Sequence, residues 1–172
     1  GHGTSPFEMN KTRWQDWFSV AEASYLELAE KYQKVFVLGE SMGGLLTLHL
    51  AAQHSQVSGI LLFAPAIKIK NSWLARFLWP IIPTLKKKPP NNDIPQQSYT
   101  EFPLRAAASL HVLQKIVRNE ISQIRTPIRI FQGKQDDTID PLGALYIHER
   151  IASDDKELII LTQSCHLILL DK

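Results

Sequence analysis

A chain of 172 residues suits one domain and is long enough to bury a core. Its net charge of only +2 excludes the basic footprint expected of a nucleic-acid binder. The single Cys165 excludes an intrachain disulfide, no Cys/His cluster has zinc spacing, and no apolar run is long enough to span a bilayer. With no signal-peptide pattern, these features favour a cytoplasmic protein without stable membrane insertion.

In chain order, Thr12 with Gln15 three residues later forms a capping-box start. Trp14, Trp17, Phe18, Ala21, Tyr25 and Leu28 then recur at helical spacing, which predicts a helix with one apolar face. Val35-Phe36-Val37-Leu38 is a short run of strand formers, and a run apolar on both faces suits a buried parallel strand. Residues 42–54 predict a helix, and residues 59–63, 128–131 and 158–161 predict three further buried strands. Asp140 followed by Pro141 is a helix start, with Asp as cap and Pro in the first helical position. Strands that alternate with helices imply a parallel sheet with right-handed crossovers.

Residues 66–103 break this rhythm. They hold six prolines between Pro80 and Pro103, the run Lys86-Lys87-Lys88, and the apolar Trp73, Leu74, Phe77 and Leu78. Such a stretch is too long for an ordinary loop and too apolar for a disordered linker. It reads as an insertion with one short helix that folds over the sheet as a cap, its apolar stripe either lining the pocket, with Trp73 and Phe77 on a wall that contacts substrate, or anchoring the insertion to the core. The expected organisation is therefore a core part over 1–65, a cap over 66–103 and a second core part over 104–172. The chain opens on Gly1-His2-Gly3 without Met and closes six residues after His166. Both ends read as truncations of something longer.

Three constellations carry chemistry. Gly39-Glu40-Ser41-Met42-Gly43 fits the Gly-x-Ser-x-Gly elbow, between a predicted strand and a predicted helix. Such a turn strains the serine backbone, needs small residues at both flanks, and projects the hydroxyl above the sheet. The Met42 N–H then opens a helix N-terminus, where partial positive charge favours an oxyanion. Second, Gly133-Lys134-Gln135-Asp136-Asp137 follows the third of these strands, so its carboxylates lie at the same sheet edge as the elbow. Asp136 comes first after the turn and is the expected acid, with Asp137 as runner-up; Asp140 is already explained as a cap. Third, His166 stands just past the last strand, and imidazole is the side chain suited to shuttle a proton near neutral pH. The order Ser41, Asp136, His166 is that of a Ser-Asp-His hydrolase triad. His49 and His54 are expected too far along their helix to compete, His111 and His148 on helix surfaces, His2 in a structural role, and Cys165 as a packing residue.

These pieces together resemble the bacterial carboxylesterase and monoacylglycerol-lipase group of α/β-hydrolases. The resemblance rests on Gly1-His2-Gly3 before a Trp-rich helix, Leu38 to Gly44, Gly133-x-x-Asp136-x-x-Ile139-x-Pro141, and Ser164-x-His166 with a following Leu-Asp. It runs over nearly the whole chain and is weakest in 66–103. It implies an α/β-hydrolase fold, a parallel sheet flanked by helices with a small cap insertion. It further implies Asp136 as acid, His166 as base, and a cytosolic enzyme with no cofactor and no metal. Glu40 departs from the apolar residue usual at its place, and Cys165 from a common glycine. The family's His-Gly oxyanion loop and first strands would precede Gly1, so a second oxyanion donor is expected outside this chain.

The expected activity is a serine hydrolase that cleaves small-molecule carboxylic esters, of short to medium acyl chains or monoacylglycerols, through an acyl-serine. The alternatives are a thioesterase, acyltransferase or peptidase on the same triad, or a non-catalytic binding protein of this fold. A lipase that meets lipid through Lys86–Lys88 and the Trp-rich cap is a further reading. The sequence carries no information on oligomeric state.

Overall fold

A computed structural model describes residues 3–87 and 98–170. The calls on His2, Lys88, Pro89, Pro90, Pro95 and Asp171 therefore fall outside the described residues. The chain runs through α1 (Pro6–Met9), α2 (Trp14–Lys31), β1 (Phe36–Glu40), α3 (Met42–Gln53), β2 (Gly59–Phe63), α4 (Ala75–Leu78), β3 (Thr84–Lys86), β4 (Glu101–Pro103), α5 (Leu104–Glu120), β5 (Ile128–Gly133), α6 (Leu142–Arg150) and β6 (Lys156–Leu161). Strands β1, β2, β5 and β6 form one parallel sheet in that order, and β3 and β4 pair antiparallel apart from it.

Side chains alternate across a strand, so register decides which residues share a face. Ile60 and Leu62 of β2 share one face with Ile128 and Ile130 of β5, all at most 1 % exposed. Leu45 and Leu48 of α3, Leu113 and Val117 of α5, and Ala144 and Ile147 of α6 close the same core. Each Val, Leu or Ile side chain among them contributes about 1.5–3 kcal/mol when fully buried. The opposite face is less covered than the doubly apolar strands predict. There Phe63 and Phe131 stack with centroids 4.7 Å apart, while Phe36 and Leu38 of the edge strand are more than half exposed.

Three local readings shift. Helix α2 starts at Trp14, and its cap is the backbone of Arg13, whose N–H donates to Asp16 Oδ2 at 2.8 Å. Thr12 instead accepts a hydrogen bond from Trp17 Nε1 at 2.7 Å. Leu28 falls off the buried stripe, at 44 % exposure, on the groove between α2, α3 and the β1 edge. Asp140 Oδ1 accepts the Leu142 N–H at 3.0 Å, but the helix begins at Leu142 with Pro141 rather than Asp140 in the cap position.

The insertion is rooted by polar contacts with α5. Gln114 Nε2 donates to Ala66 O and Arg118 Nη2 to Ile67 O, both at 2.6 Å. Ser72 Oγ donates to Gln114 Oε1 at 3.1 Å and meets His111 Nδ1 at 2.9 Å. His111 is thus a partly buried anchor rather than a surface residue, and burial lowers its pKa. The far end is held by Asn10, which donates to Pro83 O and accepts from the first-turn N–H groups of Arg105 and Ala106. Between these anchors lie a 3₁₀ turn over Ser72–Leu74, the short α4, and the β3–β4 ribbon, which the proline-rich sequence conceals. No helix among the described residues is long and apolar enough to cross a membrane.

Ile130 is completely buried at the centre of the core. Ile130→Ala should lower unfolding free energy by about 2–5 kcal/mol. Urea unfolding followed by circular dichroism measures this, and a loss under ~1 kcal/mol would mean the site collapses around the cavity.

Candidate active site

Ser41 sits between β1 and α3 with φ 54 and ψ −115, a conformation L residues rarely adopt. The surroundings hold it there. Its N–H donates to Phe63 O at 2.9 Å, and its carbonyl accepts from Gly44 N at 3.1 Å and Ala66 N at 3.0 Å. A Cβ at Gly39 would overlap the Gly43 carbonyl and Thr47 Oγ1, and one at Gly44 would press on Pro65. Gly43 has open space where a Cβ would go, so the second tight contact of the turn falls to Gly44, one position later than the motif suggests. Met42 is the first residue of α3, and the N–H groups of a first turn have no acceptor within the helix.

The register of β5 and β6 brings the other two groups together. Gly133 pairs with Leu161 at the carboxyl ends of both strands. The two turns then stay joined, through Lys134 N to Leu161 O at 2.9 Å and Gln135 N to Ser164 O at 3.1 Å. Asp136 leaves one turn and His166 the other. His166 Nδ1 lies 2.8 Å from Asp136 Oδ2, and His166 Nε2 lies 2.9 Å from Ser41 Oγ.

The Asp136 side chain is fully buried, and its surroundings favour the charged form. Burial pushes its carboxyl up, but the His166 hydrogen bond and the N–H groups of Ile139 and Thr138 outweigh burial. The net pKa therefore lies below the ordinary 3.8. An ionised carboxylate can only accept, so Nδ1 of His166 carries the proton. Nε2 is then left with a lone pair facing the Ser41 hydroxyl, the arrangement a general base needs. Asp137 stays exposed, and among the described residues its carboxylate meets Thr138 Oγ1 at 3.4 Å. Asp140 pairs with Lys68 at 2.9 Å.

Two supporting residues escape the motif reading. Gln132 is fully buried in β5 and donates to Asp136 Oδ2 at 3.1 Å. Its signal is a polar residue inside an otherwise apolar strand. Glu40 Oε1 accepts the Leu169 N–H at 3.1 Å, which ties the segment after His166 back to the elbow. Two other histidines are engaged elsewhere: His49 with Glu120 and His54 with Glu22, each at 2.7 Å. No group of His, Cys, Asp and Glu among the described residues is arranged to hold a metal ion.

An apolar cleft of about 220 Å³ reaches Met42, the residue after Ser41. Met9, Trp17, Leu110, Tyr99 and Phe102 line it, with Lys87 and Glu101 as its charged members. Trp73 and Phe77, expected on the pocket wall, are absent from this lining. Their rings meet edge to face with centroids 6.0 Å apart, and the residues are 51 % and 56 % exposed. The apolar stripe of the insertion splits, with Leu74 and Leu78 partly buried and the two aromatics outward. A larger groove of about 270 Å³ between α2, α3 and the β1 edge contains none of Ser41, Met42, Asp136 and His166.

The sequence pattern of the serine aminopeptidase S33 family matches residues 1–172, the whole chain. The chain belongs to this family. It is 32 % identical over 179 residues to a thermostable monoacylglycerol lipase of Bacillus sp. (strain H-257), covering 99 % of this chain and 70 % of the relative. A carboxylesterase of Bacillus subtilis (strain 168) is 27 % identical over 178 residues, covering 100 % of this chain and 72 % of its own. A solved structure reported for LipS and LipT, two metagenome-derived lipolytic enzymes, superposes with a TM-score of 0.92 at 27 % identity, covering 100 % of this chain and 73 % of that one. The fold is that of an α/β-hydrolase, with the serine at the elbow that this family places between strand and helix.

The depressed Asp136 pKa predicts how stability depends on pH. A carboxylate whose folded pKa lies below its unfolded value adds stability that is fully present above the unfolded value, near 3.8. That contribution is lost as pH falls through the folded value. Asp136→Asn should therefore unfold with a flatter acid limb than the parent chain in urea titrations below about pH 5. Parallel acid limbs would show that the carboxylate is no better placed in the fold than in the unfolded chain.

Proposed function

We propose that this chain forms the catalytic part of a serine hydrolase of small-molecule carboxylic esters, with Ser41 as nucleophile, His166 as general base and Asp136 as the acid that orients it. The observation that carries the reading is the unbroken contact from Asp136 Oδ2 through the His166 ring to Ser41 Oγ, at 2.8 and 2.9 Å. His166 Nε2 takes the hydroxyl proton as Ser41 Oγ attacks the ester carbonyl. Negative charge develops on the carbonyl oxygen, which the Met42 N–H receives at the start of α3. Collapse breaks the carbonyl–alkoxy bond, and His166 returns the proton to the departing alcohol. Water, deprotonated by His166, then attacks the acyl-serine and releases the acid. Asp136 stays ionised throughout and stabilises the imidazolium that forms in each half-reaction.

The cleft beside Met42 is the proposed acyl site. Its lining is apolar apart from Lys87, Glu101 and the Tyr99 hydroxyl, which suits an acyl chain better than a peptide. About 220 Å³ falls below the roughly 300–1,000 Å³ of clefts for drug-sized ligands, which favours short to medium chains. The relatives named as a monoacylglycerol lipase and a carboxylesterase support an ester as substrate. A panel of p-nitrophenyl esters, run beside aminoacyl p-nitroanilides, tests the reading. Turnover of the anilides without the esters would move it to a peptidase on the same residues.

Geometry also ranks the two neighbouring carboxylates. Asp136→Asn should lower kcat by about 10⁴, since the amide favours the wrong histidine tautomer. Asp137→Asn should keep most of the activity. Steady-state kinetics in which Asp137→Asn is the more damaged variant would transfer the role.

The acyl site predicts a chain-length effect. Ala106 is buried on the cleft wall, and Ala106→Leu should shift relative kcat/KM toward short acyl esters. The shift should amount to roughly 10-fold or more per excluded methylene pair. Trp73→Ala should leave the ratio unchanged. A shift in Trp73→Ala but not in Ala106→Leu would return the pocket wall to the outer part of the insertion.

A further inference from the structure

Gln132 sits where the strand pattern calls for an apolar residue. Alternate residues of a strand share a face, so Gln132 continues the row of Ile128 and Ile130, and all three are at most 1 % exposed. The orientation of its amide is fixed by its neighbours. Nε2 lies 3.1 Å from Gly133 O and 3.1 Å from Asp136 Oδ2, and a carbonyl and an ionised carboxylate can only accept. The NH₂ end must therefore face them, which turns Oε1 away. Among the described residues, Gln132 Oε1 is a buried side-chain oxygen without a hydrogen-bond partner. A buried acceptor left unpaired lowers stability, and a Leu or Met on this row would leave none. The stability of the strand does not account for a glutamine here, whereas its contact with Asp136 does.

That contact is shared. Asp136 Oδ1 accepts the Thr138 and Ile139 N–H groups, whereas Oδ2 accepts from Gln132 Nε2 at 3.1 Å and from His166 Nδ1 at 2.8 Å. Each donor on Oδ2 stabilises its negative charge and so weakens the pull of that oxygen on the other donor. Gln132 also spans Asp136 and the carbonyl of Gly133, where β5 ends, so it fixes the carboxylate's rotation relative to the strand. The surrounding charges are directed elsewhere. Lys134 and Asp137 of the same turn are exposed, Asp140 ahead of α6 pairs with Lys68, and Glu40 of β1 accepts the Leu169 N–H. The turn that carries His166 adds Cys165 as its other titratable group.

We propose that Gln132 is a positioning residue for the reaction at Ser41. It locks the Asp136 carboxylate in the orientation that His166 needs, and it tempers the hold of that carboxylate on the imidazolium, so that His166 frees its Nε2 lone pair at lower pH. The proposal rests on the reading of Ser41, His166 and Asp136 as a hydrolytic unit. It adds a member that lies outside the cleft lining and acts through Asp136. Loss of its N–H has a direction. An unshared Oδ2 binds the Nδ1 proton more tightly and favours the charged ring, so the base begins to work only at higher pH. The released carboxylate also turns more freely, which lowers kcat.

The experiment compares the parent protein with Gln132→Met, which keeps the volume and removes the amide, and Gln132→Asn, whose amide falls one methylene short of Oδ2. Urea unfolding establishes that each variant is folded, and the second stands in where the first is not. Kinetics with a soluble p-nitrophenyl ester across pH should show kcat lower by roughly 10-fold, KM unchanged, and the acid limb of kcat/KM moved to higher pH. In proton NMR, the resonance of the His166 Nδ1 proton, identified by its absence from His166→Ala, should move downfield. Because Gln132 acts through Asp136, Gln132→Met should change kcat by less than about 2-fold in an Asp136→Asn background. An unmoved acid limb, an unmoved resonance, or the same loss of kcat with and without Asp136 would each overturn the proposal and leave Gln132 a packing residue. A parent protein that turns over no ester would instead refute the hydrolase reading, and the Nδ1 resonance would still decide whether Gln132 and His166 share Oδ2.

Discussion

The structure turns on one imidazole that must touch two partners at once. His166 reaches Asp136 with one nitrogen and Ser41 with the other, and the three groups lie 30 and 125 residues apart in the chain. No local motif can hold such a contact. The parallel register does, because it aligns the carboxyl ends of β1, β2, β5 and β6 at one edge of the sheet. The apolar core beneath that edge, centred on Leu62 and Ile130, therefore fixes a geometry that the polar residues could not hold alone.

Charge and strain are concentrated at the same edge. A buried carboxylate is costly unless its oxygens are hydrogen-bonded, and Asp136 meets this with two backbone N–H groups on Oδ1 and the Gln132 amide and His166 on Oδ2. Ser41 carries its left-handed backbone between three hydrogen bonds, one of which comes from the first residue of the insertion, Ala66. The insertion is thus coupled to the nucleophile at its root, through the backbone of Ser41, as well as along the cleft.

What the sequence made legible follows from how locally each feature is determined. The elbow was legible because its steric demand is written in adjacent glycines, and the strands because each is a compact apolar run. Asp136 and His166 could be placed because both follow such runs directly. The preference for Asp136 over Asp137 rested on its place after the turn alone, since the Thr138 and Ile139 N–H groups that single out one carboxylate meet it only in the folded turn. The β3–β4 ribbon was hidden because each of its strands has only three residues, and proline interrupts the periodicity that would reveal them. Which way Trp73 and Phe77 face was not legible, because four apolar residues at spacings of one, three and four form two adjacent rows, and periodicity alone does not say which row faces in. His111 looked like a surface residue until Ser72, 39 positions away, folded onto it.

The central claim is that Ser41 is the nucleophile that the His166 contact activates. Reaction of the protein with a fluorophosphonate, followed by peptide mass spectrometry, tests it most directly. The account predicts a single adduct on Ser41, abolished by His166→Ala in a protein that remains folded. An adduct on another residue such as Ser164, or undiminished labelling without the imidazole, would contradict it.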